Sequence, residues 1–158
     1  MSKSLARVRK ALTDAGVDVD IRETALARTA ADAAHAVNCE VDQIAKSIIF
    51  CGQHSGAALL FITAGGNQVD ATRAADLAQE PLGKADAALI RAQTGFAIGG
   101  VAPVGHLTPP RAWVDPRLLE FDMIWAAAGT PHHVFCLSPA KIVELSGAQV
   151  ADFTSLSK

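Results

Sequence analysis

Apolar residues recur along this chain in two periods, and the switches between them outline its elements. Over residues 4–15, Leu5, Val8 and Leu12 fall on one helical stripe, with Arg7, Arg9 and Lys10 around it. Gly16 supplies the stop. Residues 17–21 alternate apolar and acidic positions and predict a short strand. A second helix is predicted from Thr29, whose hydroxyl can cap it. Asp32 in its first turn favours the positive helix end. It reaches about Val37, where Asn38 is a suitable terminator. After a short approach over 41–45, residues 47–51 and 58–64 are continuous apolar runs of the buried-strand type. The polar, glycine-containing segment 52–56 joins them as a hairpin.

The second half carries the same signals in shorter pieces. Gly65-Gly66-Asn67 predicts a tight turn, and residues 68–70 lead into a helix over 71–79. A further helix is predicted over 85–94. Residues 96–106 begin as a strand and break into a Gly/Pro loop. Strands are expected at 112–115, 124–127 and 133–137, with a helical turn at 116–120 and a chain reversal at 129–131. Pro139 suits the first turn of a helix over 139–145, and 148–153 predicts a last strand. Strands and helices intermix without strict alternation, and several strand connections are too short for parallel crossovers. The expected fold is α+β: a mixed, largely antiparallel sheet or partly closed barrel surrounded by helices.

Composition narrows the class. A chain of 158 residues, 50% hydrophobic, suits one compact domain spanning 1–158 with a real core. No apolar run approaches the roughly 20 residues that cross a bilayer. The N-terminal residues lead into a helix pattern instead of a signal h-region, so a soluble, cytoplasmic protein with no membrane partner is expected. Cys39, Cys51 and Cys136 are widely spaced and odd in number, which argues for buried reduced thiols over a disulfide framework. The formal charge is -2 and the positive charges are scattered. That disfavours a protein gripping DNA or a long nucleic-acid stretch, where phosphate neutralisation supplies much of the affinity. A tRNA ligand would be held mainly at its single-stranded acceptor end, weakly unless a partner helps.

Two features can carry chemistry. Lys46 precedes the run 47–51. A lysine there is ordinarily just solvated, but a well-supported strand can hold its ammonium over a cleft to bind a phosphate or ribose hydroxyl, at about 1.5–3 kcal/mol. The loop from Gly99 to His106 is the second. Gly99 and Gly100 allow strained backbone and close ligand approach, and Pro103 fixes its own φ while restricting Ala102. Such a loop can aim successive N–H groups at one point, as an oxyanion hole requires; its ordinary reading is a turn. No order of residues supports a Ser-His-Asp or Cys-His triad around His106. His132 and His133 would point to opposite faces of a strand, which disfavours a shared metal. Cys51 and Cys136 sit in apolar patterns and read as packing. Asp70 and Asp115 read as caps. There is no P-loop, and the pattern G-x-G-x-x-G is absent near Gly95.

In combination these signals gain specificity. The run Thr29-Ala30-Ala31-Asp32-Ala33-Ala34 with Gln43-Ile44-Ala45-Lys46-Ser47-Ile48-Ile49-Phe50 resembles the first signature of the YbaK-like deacylases, which include the editing insertion of bacterial prolyl-tRNA synthetases. Val69-Asp70 with residues 94–106 resembles the second, and residues 125–131 with 134–139 the third. The resemblance spans about Thr24 to Gly147. It implies trans-editing: hydrolysis of the ester of a mischarged aminoacyl-tRNA. The amino acid would be small, such as alanine, cysteine, serine or threonine, with tRNA-Pro a candidate carrier. Lys46 would orient the terminal adenosine. The amides of Gly99, Gly100, Val101, Ala102 and Pro103's neighbourhood would hold the ester carbonyl, with water attack assisted by a ribose hydroxyl and no metal or cofactor. Gly105, His106, Gly129 and Thr130 are the remaining candidates for substrate contact.

An editing sieve makes physical sense, because a synthetase pocket separates side chains differing by a methylene only ~10–200-fold. Partners implied are the acceptor end of mischarged tRNA and an aminoacyl-tRNA synthetase; the oligomeric state is left open. The rival reading is a non-catalytic module binding tRNA ends or a synthetase, and a small-nucleotide binder is a third.

Overall fold

The computed structural model describes residues 2–155. Five helices, α1 (Lys3–Asp14), α2 (Ala30–Val37), α3 (Ala71–Ala78), α4 (Ala87–Thr94) and α5 (Pro139–Ser146), pack around one eight-stranded sheet. Its strands are β1 (Ile21–Glu23), β2 (Ile44–Gly52), β3 (Ala58–Ala64), β4 (Leu82–Lys84), β5 (Ala112–Val114), β6 (Ile124–Ala127), β7 (His133–Leu137) and β8 (Gln149–Val150). Short 3-10 turns at Val41–Gln43 and Pro116–Glu120 precede β2 and β6.

The caps explain why the helices begin where they do. Ser2, Thr29, Asp70, Asp86 and Ser138 each accept a hydrogen bond from a first-turn N–H of the helix that follows. Asn38 and Gln79 end α2 and α3 in the left-handed region, at φ 58° and 60°.

The sheet runs β1-β7-β6-β2-β3-β5-β8 and does not close, and β4 pairs with β2 off this path. Pairs β1–β7, β2–β3, β2–β4 and β6–β7 are antiparallel, whereas β2–β6, β3–β5 and β5–β8 are parallel. The sheet is mixed, as expected, and open. One face carries the larger core, where Leu5, Val8 and Leu12 of α1 meet Leu60, Ile62, Phe96, Val114 and Phe135. The other carries an aromatic group under α3. There Phe61 stacks on Trp113 at 4.9 Å and meets Phe153 edge-on at 5.1 Å. Each such pair adds about 0.5–1.5 kcal/mol beyond area burial.

One feature of the sheet matters for function. β6 and β4 lie on the same side of β2, but β6 reaches only Ile44 and Ala45 while β4 reaches only Phe50, Cys51 and Gly52. Residues 46–49 are therefore paired to β3 alone, and the sheet has an opening beside them.

Several expectations need correction. The strand expected at 17–21 lies at Ile21–Glu23, because β7 offers partners only there; Val17 and Val19 pack on the core without a ladder. Residues 96–98 are not a strand. Phe96 is fully buried, but its N–H bonds to the Thr94 hydroxyl and Gly100 N–H bonds to Ala97, so the backbone is satisfied locally. β4 escaped the sequence pattern because Leu-Gly-Lys after a proline gives too few apolar residues for a period. The cysteines are free but only half-buried.

Candidate functional site

A cavity of about 820 Å³ occupies the opening in the sheet. Its walls include Lys46, Ser47, Ile48 and Ile49 of β2, Gly99 and Val101 of the loop, and Thr130 and His133 near β7. Side chains alternate along a strand. Lys46 therefore shares a face with Ile48 and Phe50, which pack on the aromatic group, whereas Val101 and Ala102 pack with Ala45 and Ile49 on the other face. The lysine and the glycine loop thus border one hollow but approach it from opposite faces of the sheet.

Lys46 is held. Its Nζ donates to the Asn67 carbonyl at 2.6 Å. Asn67 sits in the Gly65–Asn67 turn, which is itself fastened by buried Asp115: Oδ2 accepts from Ala64 N–H at 3.1 Å and Asn67 Nδ2 at 2.9 Å. Asp115 Oδ1 also accepts from Arg117 N–H, so its capping role is real and is joined by a second one. Burial pushes the Lys46 ammonium below its ordinary pKa, and the charges of Asp115 and Asp42 oppose that shift. An ammonium has three donors, so the bond to Asn67 leaves two for a ligand.

The loop owes its shape to two glycines. Gly100 N–H bonds to Ala97 O at 3.0 Å, closing a turn whose third residue, Gly99, has φ +90°. A Cβ on Gly100 would lie 2.8 Å from the Thr130 Cα, so the loop lies directly on the backbone of the β6–β7 turn. Gly99 and Val101 line the cavity, and among the described residues their N–H groups make no hydrogen bond. Gly99 is exposed, whereas Val101 is buried, where a main-chain donor without a partner is uncommon.

Arg7 of α1 clips the ends of the loop together. Its Nε donates to Gly105 O at 2.7 Å, and one terminal nitrogen donates to Gly95 O at 2.8 Å. The guanidinium also lies 4.7 Å over the Phe96 ring. His106 Nε2 is 2.6 Å from Ala102 O. A carbonyl only accepts, so Nε2 carries the proton, and buried Nδ1 has no partner among the described residues. Burial and then Arg7 hold this imidazole below its ordinary pKa, against the Ala102 bond.

The candidates therefore separate. Lys46, Gly99, Val101 and Thr130 border the cavity. Gly100, Ala102, Pro103, Gly105, His106 and Gly129 do not; they shape or brace the loop behind it. Gly129 is pressed on α1, where a Cβ would lie 2.8 Å from Ser4 O. The Thr130 hydroxyl accepts from His132 N–H at 3.0 Å and lies 2.7 Å from His133 Nδ1. Sequence reasoning missed three wall residues. Ser47 presents a buried hydroxyl with no partner among the described residues, Ile49 borders the open strand edge, and His133 lies 3.6 Å from Glu23. Cys39 and Cys136 have thiols pushed up by burial, which suits packing better than nucleophilic attack. Among the described residues no cluster of three metal-ligating side chains occurs, and no helix is long and apolar enough to cross a membrane.

Comparison with known proteins decides the family. The model of the aminoacyl-tRNA editing domain matches residues 24–145. The chain belongs to the aminoacyl-tRNA editing domain family. This editing-domain chain is similar to a solved structure of a "putative trans-editing enzyme for prolyl tRNA synthetase", with 44% identity, TM-score 0.91 and coverage of 98% of this chain and 99% of that one. The "hypothetical protein APE2540" superposes with TM-score 0.85 at 25% identity, over 94% of this chain and 99% of that one. Among curated proteins, the "Uncharacterized protein YwhH" of Bacillus subtilis (strain 168) is 27% identical over 93% of this chain and 94% of its own length. The mixed open sheet of this chain thus belongs to the same fold as the two solved structures.

Proposed function

We propose that this editing domain, acting as one unit over 1–158, hydrolyses the ester of mischarged aminoacyl-tRNA in trans, in the cytoplasm. The observation that carries the reading is the shared hollow: a cation from one face of the sheet and donor-bearing glycine loop from the other border one opening. The acceptor strand enters on the Lys46 side, where the ammonium takes a phosphate or ribose oxygen. The aminoacyl group passes through the opening toward the loop. There the N–H groups of Gly99 and Val101 hold the ester carbonyl oxygen as negative charge develops on it. Water adds to the carbonyl carbon, a neighbouring ribose hydroxyl relays its proton, and the ester C–O bond breaks, leaving free amino acid and a ribose hydroxyl. The resident side chains supply positioning and no nucleophile. A small acyl group is proposed from the family resemblance, with Gly99, Val101 and Ala126 on the loop side of the cavity wall; alanine, cysteine, serine and threonine are the candidates, with tRNA-Pro as carrier. Prolyl-tRNA synthetase is the proposed partner, by analogy with the 44% identical relative.

The test is a deacylation screen against tRNAs charged with each of the four amino acids. Wild-type protein is expected to release one or more of them, and Lys46→Ala to lose at least about tenfold, from a charge-assisted bond of about 1.5–3 kcal/mol. Protection of the ester, with no hydrolysis of any substrate, would establish a binding module instead.

A further inference from the structure

The wall of the cavity formed by β2 is a bare strand edge, and its polarity can be worked out. Residues facing each other in an antiparallel pair alternate between exchanging hydrogen bonds and turning them outward. Leu60 N–H donates to Arg111 O at 3.0 Å, and Ile62 O accepts from Asp115 N–H at 2.9 Å. Both residues thus direct their main-chain groups toward β5 and away from β2. Their register partners are Ile49 and Ser47. These two must likewise direct N–H and C=O away from β3, in the plane of the sheet and on the side of the opening. On either side the same row is occupied: Ala45 pairs with Ala126 of β6, and Cys51 with Gly83 of β4. The register leaves Ser47 N–H and C=O and Ile49 N–H facing the opening, while Ile49 C=O is directed toward Ala85, the position after Lys84 in the β4 register. Both residues line the cavity.

Between the β6 and β4 pairings, the bare edge offers a carbonyl from Ser47 beside an N–H from Ile49. Adenine presents the matching pair on its Watson–Crick edge, the N6 amino donor beside the N1 acceptor. We infer that the open edge of β2 reads the terminal adenine of the acceptor strand, with Ser47 C=O accepting from N6 and Ile49 N–H donating to N1. This rests on the editing reading and names the part of the substrate that the Lys46 and loop arguments leave unplaced. The base then lies in the plane of the sheet and fills the gap between β6 and β4. Its ribose is thereby set between the two faces, where the lysine and the loop meet. Apolar wall residues, Ile98 and Leu26 among them, cover the base faces. Main-chain readout of this kind tolerates any side chain at 47 and 49 small enough to leave the edge bare, so it leaves no motif in the sequence.

The experiment varies the ligand, because a main-chain group cannot be deleted by ordinary mutation. Acceptor minihelices are prepared ending in adenosine, purine riboside (no N6), 1-deazaadenosine (no N1) or 7-deazaadenosine. They are used uncharged for binding and charged for hydrolysis. Loss of either matched group is expected to weaken binding and kcat/KM about tenfold or more, while the 7-deaza end behaves as adenosine. Amide hydrogen exchange at Ile49 is expected to slow on binding the uncharged adenosine-ended helix. Equal binding and hydrolysis of all four ends, or unchanged exchange at Ile49, overturns the base reading and leaves editing intact. Tenfold discrimination in binding with no hydrolysis of any charged end upholds the base reading and removes the editing one.

Discussion

Replacing Gly100 by alanine tests the site where the structure is least forgiving. The added Cβ would sit 2.8 Å from the Thr130 Cα and 3.0 Å from its N and C atoms. Carbon atoms rest at about 3.5–4.0 Å, so the loop must retreat by roughly 1 Å. Both partners are backbone, and no rotamer relieves the contact. Overpacking of this size costs about 1–3 kcal/mol. At about 2–4 °C per kcal/mol for a chain of this length, melting should fall by roughly 2–12 °C. The larger effect is on rate: a 1 Å displacement of the neighbouring Gly99 and Val101 donors is worth about 100-fold in turnover. The assay is single-turnover hydrolysis of the best charged tRNA from the screen, beside thermal unfolding. Thr130→Ala should not rescue the variant, since the clash is with main chain. Wild-type turnover and melting in Gly100→Ala would show that the loop is not seated on the β6–β7 turn, and the assignment of the loop donors would fall with it.

Three other outcomes follow from the geometry. His106 has a folded-state pKa below the ordinary 6.5, so its contribution to stability is present above that pH and is lost as pH falls and the unfolded chain takes up the proton. The melting advantage of wild type over His106→Gln should therefore shrink between pH 7.5 and 5; a pH-independent difference would contradict the neutral, buried imidazole. Arg7→Met keeps the aliphatic stem but strands the Gly95 and Gly105 carbonyls, and denaturant unfolding should register a loss of about 1.5–3 kcal/mol. Ser47→Ala removes a buried hydroxyl that has no partner among the described residues. Its melting temperature should equal or exceed that of wild type while kcat/KM drops about two- to tenfold, the worth of one neutral hydrogen bond of about 0.5–1.5 kcal/mol; unchanged kinetics would place that hydroxyl away from the substrate.

Much of the fold was legible because local chemistry and global packing agree. Thr29 and Asp70 cap helices where their side chains suggest, and the two long apolar runs pair as β2 and β3. The failures are places where long-range pairing decides. Residues 17–20 have a strand pattern without a partner strand, residues 96–98 have their hydrogen bonds taken locally, and β4 exists only because β2 extends past β6. The site shows the same division. Lys46 and the glycine loop were visible from their residue types. That they reach one opening from opposite faces depends on the pleat. The bond of Lys46 to Asn67 depends on a turn that Asp115 fastens from 48 residues away. Arg7 reads as an exposed helical cation and gives no sign that its partners lie at Gly95 and Gly105.

The clip made by α1 has an evolutionary corollary. The segment matched by the family begins at residue 24, after this helix, yet Arg7 draws the loop ends together and Ser4 sits behind Gly129. On the proposed editing reading, a helix that lies outside the cavity wall thus acts as a tuning peg for the aperture. Drift in its sequence can alter which acyl groups are admitted while every wall residue stays the same, and a fragment trimmed to the recognisable domain would keep the signature but lose the instrument's pitch.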